Sequence, residues 1–171
     1  ALIQTSGSLV LDHVTLDANR KGRVLSAVAN AEVTLNDQAV IRGGYAPDNG
    51  GGYYYGLGIY IDAGATVTMN DGALITDNTT KDASVTDAEG NALGMTVGVS
   101  GLGVYNRGTF IMHGGAISDN VSKDRTSGGI SNSNSGGAIY NAGTLTITGG
   151  KLTGNQIMGS GGAIYSTIGT V

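Results

Sequence analysis

Cysteine is absent from the 171 residues, and proline occurs once. Without cysteine there is no disulfide framework and no thiolate site. Charge is sparse too: Asp, Glu, Lys and Arg together make up 13%, with a formal net charge of -4. Such a chain has no basic footprint for nucleic acid. No apolar run approaches the ~20 residues that a membrane-spanning helix needs. No window carries a sustained helical period. What abounds is glycine, at 31 residues. Glycine-rich chains are often disordered, but these glycines keep fixed places beside apolar residues, which implies repeated tight turns. Apolar residues at 40% suffice for one continuous core.

The glycines belong to a repeat. GGAIYNAGTLTITGGKLTGN, residues 136–155, restarts at Gly161-Gly162-Ala163-Ile164-Tyr165. Gly101-Leu102-Gly103-Val104-Tyr105 and Gly56-Leu57-Gly58-Ile59-Tyr60 open earlier copies. The second half recurs as GTFIMHGGAISDN ending at Asn120, ATVTMNDGALITDN ending at Asn78 and GSLVLDHVTLDAN ending at Asn19. A motif returning at this scale marks a stacked repeat. Alignment gives coils at 1–23, 24–55, 56–100, 101–135 and 136–160, with a sixth begun at 161. Coil one is aligned with Ala1-Leu2-Ile3 on Ala138-Ile139-Tyr140.

Within a coil the apolar pattern has period two over four to six residues, the signature of short strands with one buried face. Glycine pairs such as Gly114-Gly115 and Gly149-Gly150 punctuate them as turns. Three short strands per coil, in register from copy to copy, predict an all-β, right-handed parallel β-helix of about five coils. Coils stacked at ~4.8 Å would bury faces that no single coil can bury. The expected inner columns are Leu9, Val33, Val67, Phe110 and Leu145; Leu11, Leu35, Met69, Met112 and Ile147; and Leu16, Val40, Leu74, Ile117 and Leu152. A tyrosine column, Tyr60, Tyr105, Tyr140 and Tyr165, is expected inside as well. Asn19, Asn78, Asn120 and Asn155 fall at one corner of their coils, where an amide can bond the backbone and the asparagine above, and they are read as a structural ladder.

GGAI at 136–139 and 161–164, with I/L-x-x-N at 16–19, 75–78, 117–120 and 152–155, resembles the GGA[ILV] and FxxN repeats of polymorphic outer-membrane proteins. Those are autotransporter adhesins with β-helical passengers. Ile or Leu stands here where that family usually has Phe. The wording also resembles glycine-rich β-helix repeats of large bacterial surface proteins. The resemblance implies a secreted or cell-surface location and a stalk or adhesin-like role. Neither end reads as an atypical capping repeat. The chain is therefore expected to be a single β-helix domain, 1–171, cut from a longer protein. Uncapped ends would invite end-to-end self-association.

The coils differ mainly between the asparagine corner and the next glycine-rich strand. That segment spans 156–160 in coil five, 121–135 in coil four, 79–100 in coil three and roughly 43–55 in coil two. Register would place these loops side by side along one edge, the natural place for binding on a rigid scaffold. The coil-two loop holds Tyr45, Tyr53, Tyr54 and Tyr55, whose flat rings suit sugars, so a glycan or host-surface component is the expected partner. The plain alternative is that Tyr54, or Tyr53 with Tyr55, faces inward and covers the coil. In the coil-three loop, Asp87, Glu89 and Asn91 form only part of a calcium-ligand set. No metal and no cofactor is expected.

The rival reading is a piece of a carbohydrate-active enzyme, a glycoside hydrolase or polysaccharide lyase. A glycosidase needs two carboxylates ~5–9 Å apart. Adjacent coils could supply Asp77 or Asp82 with Asp119 or Asp124. Asp at surface turns is common, however, and a lyase would want a cluster of Asp with Arg or Lys that is absent here.

Overall fold

The computed structural model describes residues 1–46, 53–80, 98–122 and 134–167. It is a parallel β-helix. Among the described residues every strand pairing is parallel, and no helix occurs. The first sheet stacks Ile3–Thr5, Leu25–Ala27, Ile59–Ile61, Val104–Asn106, Ile139–Asn141 and Ile164–Ser166. The second stacks Ser8–Leu11, Glu32–Leu35, Thr66–Met69, Thr109–Met112 and Thr144–Ile147. The third stacks Thr15–Asp17, Val40–Arg42, Leu74–Thr76, Ala116–Ser118 and Lys151–Thr153. Two further ladders flank the variable loops. Tyr45–Ala46 pairs with Thr79–Thr80, and bridges through Val121 and Gln156 continue that line. Tyr53–Tyr55 pairs with Gly98–Ser100, and bridges through Ser135 and Ser160 continue that one. The loops of coils two to four thus leave and re-enter at register-matched positions.

Alternation decides what is buried. In the second sheet Val33, Val67, Phe110 and Leu145 form one inner column, and Leu35, Met69 and Met112 stand in the next. Side chains from neighbouring coils meet there and make one main core. A smaller core of Ala46, Leu57, Val99 and Leu102 lies beneath the two short ladders.

Three features differ from the sequence expectation. The inner column of the third sheet is Leu16, Ile41, Ile75, Ile117 and Leu152. Val40 and Leu74 are one residue off it and only partly buried, whereas Ile41 and Ile75 are fully enclosed. A one-residue slip moves a side chain to the other face, and at VIR and LIT both choices are aliphatic. Coil one is displaced in the same way. Ile3 shares the column of Leu25, Ile59, Val104 and Ile139, while Leu2 is exposed. The tyrosine column is in register, but on the outer face of the first sheet. Ile59 and Ile61 point inward on either side of Tyr60.

The asparagine ladder also starts later than its sequence copies do. Asn78 Nδ2 donates to Asn120 Oδ1 at 2.7 Å, and Asn120 Nδ2 donates to Asn155 Oδ1 at 2.9 Å. In coil two the position is Gly44, whose N–H donates to Asn78 Oδ1 at 2.9 Å. Asn19 is exposed and stands outside the ladder, its own N–H turned to Asp17 Oδ1. Coil one buries Ala18 where the other coils place a residue with left-handed backbone. That residue is Gly43, Asp77, Asp119 or Gly154, at φ 73°, 53°, 53° and 65°. A second amide pair, not anticipated, points into the core of the first sheet. Asn106 Nδ2 donates to Asn141 Oδ1 and to Thr144 O, both at 2.8 Å.

Candidate functional site

The last ladder and the first sheet meet at a corner that four successive coils repeat. The repeat reads Ser-Gly-x-x-x-Tyr at 100–105, 135–140 and 160–165, and Tyr-Gly-x-x-x-Tyr at 55–60. Its glycine fixes the turn. Gly56, Gly101, Gly136 and Gly161 have φ of 60°, 68°, 73° and 70°, a region costly to any residue with a Cβ. A Cβ at any of the four would also run into the carbonyl oxygen three residues on. The corner is therefore the same at these four glycines, and its two ends line up along the axis.

Between those ends runs an open groove of about 450 Å³. Ser100, Ser135 and Ser160, in register by their bridges, form its floor. Tyr105, Tyr140 and Tyr165 form one wall, and Tyr53 and Tyr55 close it from the coil-two side. The wall rings lie on one another, with centroids 4.8 Å apart between Tyr105 and Tyr140 and 5.4 Å between Tyr140 and Tyr165. Tyr60 continues the stack below, 5.6 Å from Tyr105 and nearly parallel to it. Stacked rings spend their faces on each other, so the wall presents edges and hydroxyls. The hydroxyls of Tyr105, Tyr140 and Tyr165, like those of the three serines, have no hydrogen-bond partner among the described residues. Burial, with Tyr140 and Tyr55 adding to it, holds the Tyr105 phenol above its ordinary range.

The coil-two end is anchored from below. The Arg23 guanidinium lies 4.6 Å from the centre of the Tyr60 ring, a cation–π distance. Its Nε donates to Tyr55 O and Gly56 O at 3.0 and 2.9 Å, and its Nη1 to Ser26 Oγ at 3.0 Å. Burial lowers the Arg23 pKa from its ordinary value. Tyr60 Oη donates to Asp62 Oδ1 at 3.3 Å and accepts from Arg107 Nη1 at 3.2 Å. These bonds fix the bottom of the tyrosine stack and the backbone that carries Tyr55.

The four loop tyrosines divide. Tyr53, 65% exposed, and Tyr55, 39% exposed, face the groove. The Tyr53 ring covers the Cα of Gly98, where any side chain would collide with it. Tyr54 turns inward onto the smaller core. Tyr45 pairs with Thr79 on the other short ladder, away from the groove.

The candidate carboxylates lie elsewhere. Asp77 and Asp119 sit one above the other at the corner after the third sheet, following the paired Thr76 and Ser118. Arg20 Nη2 donates to Asp77 Oδ1 at 2.6 Å. The Asp119 carboxylate lies against Gly154, in the space a Cβ there would need. Asp82 and Asp124 fall outside the described residues, as do Asp87, Glu89 and Asn91. Among the described residues that line the groove there is no carboxylate. No group of three or more His, Cys, Asp or Glu among the described residues could hold a metal ion. No described helix is long and apolar enough to cross a membrane.

Sequence reasoning found Tyr53 and Tyr55 but missed the floor and the wall. The signal was present: Ser and Tyr recur five residues apart in three consecutive coils. Asn134, beside the floor, was missed as well. It is 1% exposed, its Oδ1 accepts from Val99 N at 2.7 Å, and its buried Nδ2 has no partner among the described residues.

In comparisons with known proteins, no family model, no curated protein and no solved structure matches this chain.

Proposed function

We propose that this β-helix is a non-catalytic, rigid scaffold of a secreted or cell-surface bacterial protein, and that its tyrosine-lined groove binds carbohydrate. The observation that carries the reading is the groove itself. Exposed aromatic rings at Tyr53 and Tyr55 stand beside rows of uncommitted hydroxyls at Ser100, Ser135, Ser160, Tyr105, Tyr140 and Tyr165. A sugar offers apolar ring faces and many hydroxyls, and this surface complements both. Its volume lies within the roughly 300–1,000 Å³ of small-ligand sites. The location rests on the repeat resemblance. The rigidity rests on continuous ladders in which each coil is bonded to the next. For the enzymatic alternative, Asp77 and Asp119 are the described candidates, and they stand at a different corner from the groove.

The test is a glycan array probed with the purified chain, read for both retained binding and released sugar. Binding without product, lost in Tyr53→Ala, is the expected result. Product release would replace the scaffold with an enzyme, and silence on the array would leave the groove without a carbohydrate role.

A further inference from the structure

We infer that the groove is a lane that takes an unbranched, uncharged β-1,4-linked polysaccharide lengthwise along the solenoid axis, with Tyr55 closing its coil-two end. The inference rests on the carbohydrate reading and narrows it to a chain class and a direction.

The first ground is repetition. Three consecutive corners each contribute one serine hydroxyl and one tyrosine hydroxyl at equivalent places. A single sugar would use one such pair and leave the others idle. A chain advancing by one unit per coil would place one sugar beside each pair. Coils advance by ~4.8 Å, and the wall rings are 4.8 and 5.4 Å apart. That is close to the length of one sugar in an extended, equatorially linked chain. An axially linked chain coils and would leave a straight lane after its first contacts.

The second ground is charge. The described lining residues are serine, tyrosine and asparagine. Among the described lining residues no cation pairs the carboxylates or sulfates of a polyanionic glycan, and desolvating them unpaired is costly. A neutral chain loses nothing.

The third ground is the closed end. Tyr55 occupies the column that holds serine in the next three coils. Its ring meets Tyr105 with centroids 4.8 Å apart and planes at 53°. Floor and wall therefore join at coil two. Tyr53, with one face on Gly98, keeps the other exposed at the same end. A terminal sugar can stack there while the units behind it follow the Ser–Tyr pairs outward.

The experiment is calorimetric titration of the whole chain with cello- and chito-oligosaccharides, from monosaccharide to hexasaccharide. Affinity should rise about 25-fold for each added sugar, the worth of two net hydrogen bonds, one to serine and one to tyrosine, and level off once the three Ser–Tyr corners are filled. Ser135→Tyr places a second bulky ring in mid-lane and should abolish the gain from length. Ser135→Ala, which removes one hydroxyl and no volume from the core, should weaken the trisaccharide about fivefold. Affinity independent of length, or a length gain that survives Ser135→Tyr, would overturn the lane. If the array returns some other glycan, lost in Tyr53→Ala, while both oligosaccharide series fail, the lane falls and the carbohydrate reading stands. If the array is silent as well, both fall.

Discussion

Asn120 accepts at Oδ1 from both the N–H and the Nδ2 of Asn78, at 3.2 and 2.7 Å, so one side chain ties the corner of coil three to that of coil four. Its own Nδ2 donates to Asn155 Oδ1 and to Ile75 O. Asn120→Ala would strip partners from buried groups on both sides. Each buried polar group left unpaired costs ~1–3 kcal/mol, so a loss of about 3 kcal/mol is expected from urea unfolding. Asn19→Ala, outside the ladder, should cost under about 1 kcal/mol, mostly for its left-handed backbone. Equal losses in the two variants would show that the ladder is not what holds the corner.

The corner glycines make a second prediction. Gly136 has φ 73°, and a Cβ there would meet the carbonyl of Ile139. Gly136→Ala should therefore destabilise the fold by more than the ~1–2 kcal/mol that the left-handed region alone costs a residue with a Cβ. Gly7, with open space around its Cα, is the control. Gly7→Ala should be neutral or stabilise by up to about 1 kcal/mol through the unfolded chain. Paired thermal melts separate the two.

How much of this was legible beforehand varies with the feature. Period-two alternation and the fixed glycines specified the coils, because stacking demands the same residue type at the same place. Register was ambiguous only where neighbours are alike. VIR and LIT put aliphatic residues on both faces, so Val40 and Leu74 looked as suitable as Ile41 and Ile75. Tyrosine misled for a related reason. It is large enough to read as core, yet Ile59 and Ile61 already fill the inward positions around Tyr60. The Asn106–Asn141 pair sits where coils two and three have Ala27 and Ile61. Nothing in a strand read alone shows that two amides will find each other inside. The groove was hidden because its floor and wall belong to different ladders, five residues apart in sequence, and only stacking makes them a surface.

Tyr105 gives the fold a dependence on alkaline pH. Its phenol is raised above the ordinary 10.0 chiefly by burial. The folded state then keeps a proton that the unfolded chain begins to lose. The stabilisation is complete below pH 10 and is lost as pH rises through the folded value. Urea unfolding followed upward from neutral pH should show stability falling in the alkaline range, less steeply in Tyr105→Phe. Identical slopes would mean that this phenol titrates no differently in the folded chain.

The four loop tyrosines supply the sharpest discrimination, because they are close in sequence and divided in space. Tyr54 rests on Ala46, Leu57, Val99 and Leu102, so Tyr54→Ala should cost about 2–4 kcal/mol of stability and reduce binding only through unfolding. Tyr53 and Tyr55 have exposed rings. Tyr53→Ala should leave unfolding within about 0.5 kcal/mol yet weaken glycan binding about tenfold or more, as truncation of an aromatic anchor does. Tyr55→Ala removes the ring against Tyr105 and should do the same, while opening the end of the groove. Tyr45→Ala, on the other ladder, should leave glycan affinity unchanged. The order follows from which face of a three-residue strand each ring occupies. If Tyr45→Ala proved as damaging to binding as Tyr53→Ala, the ligand would be held at the loop edge rather than in the groove.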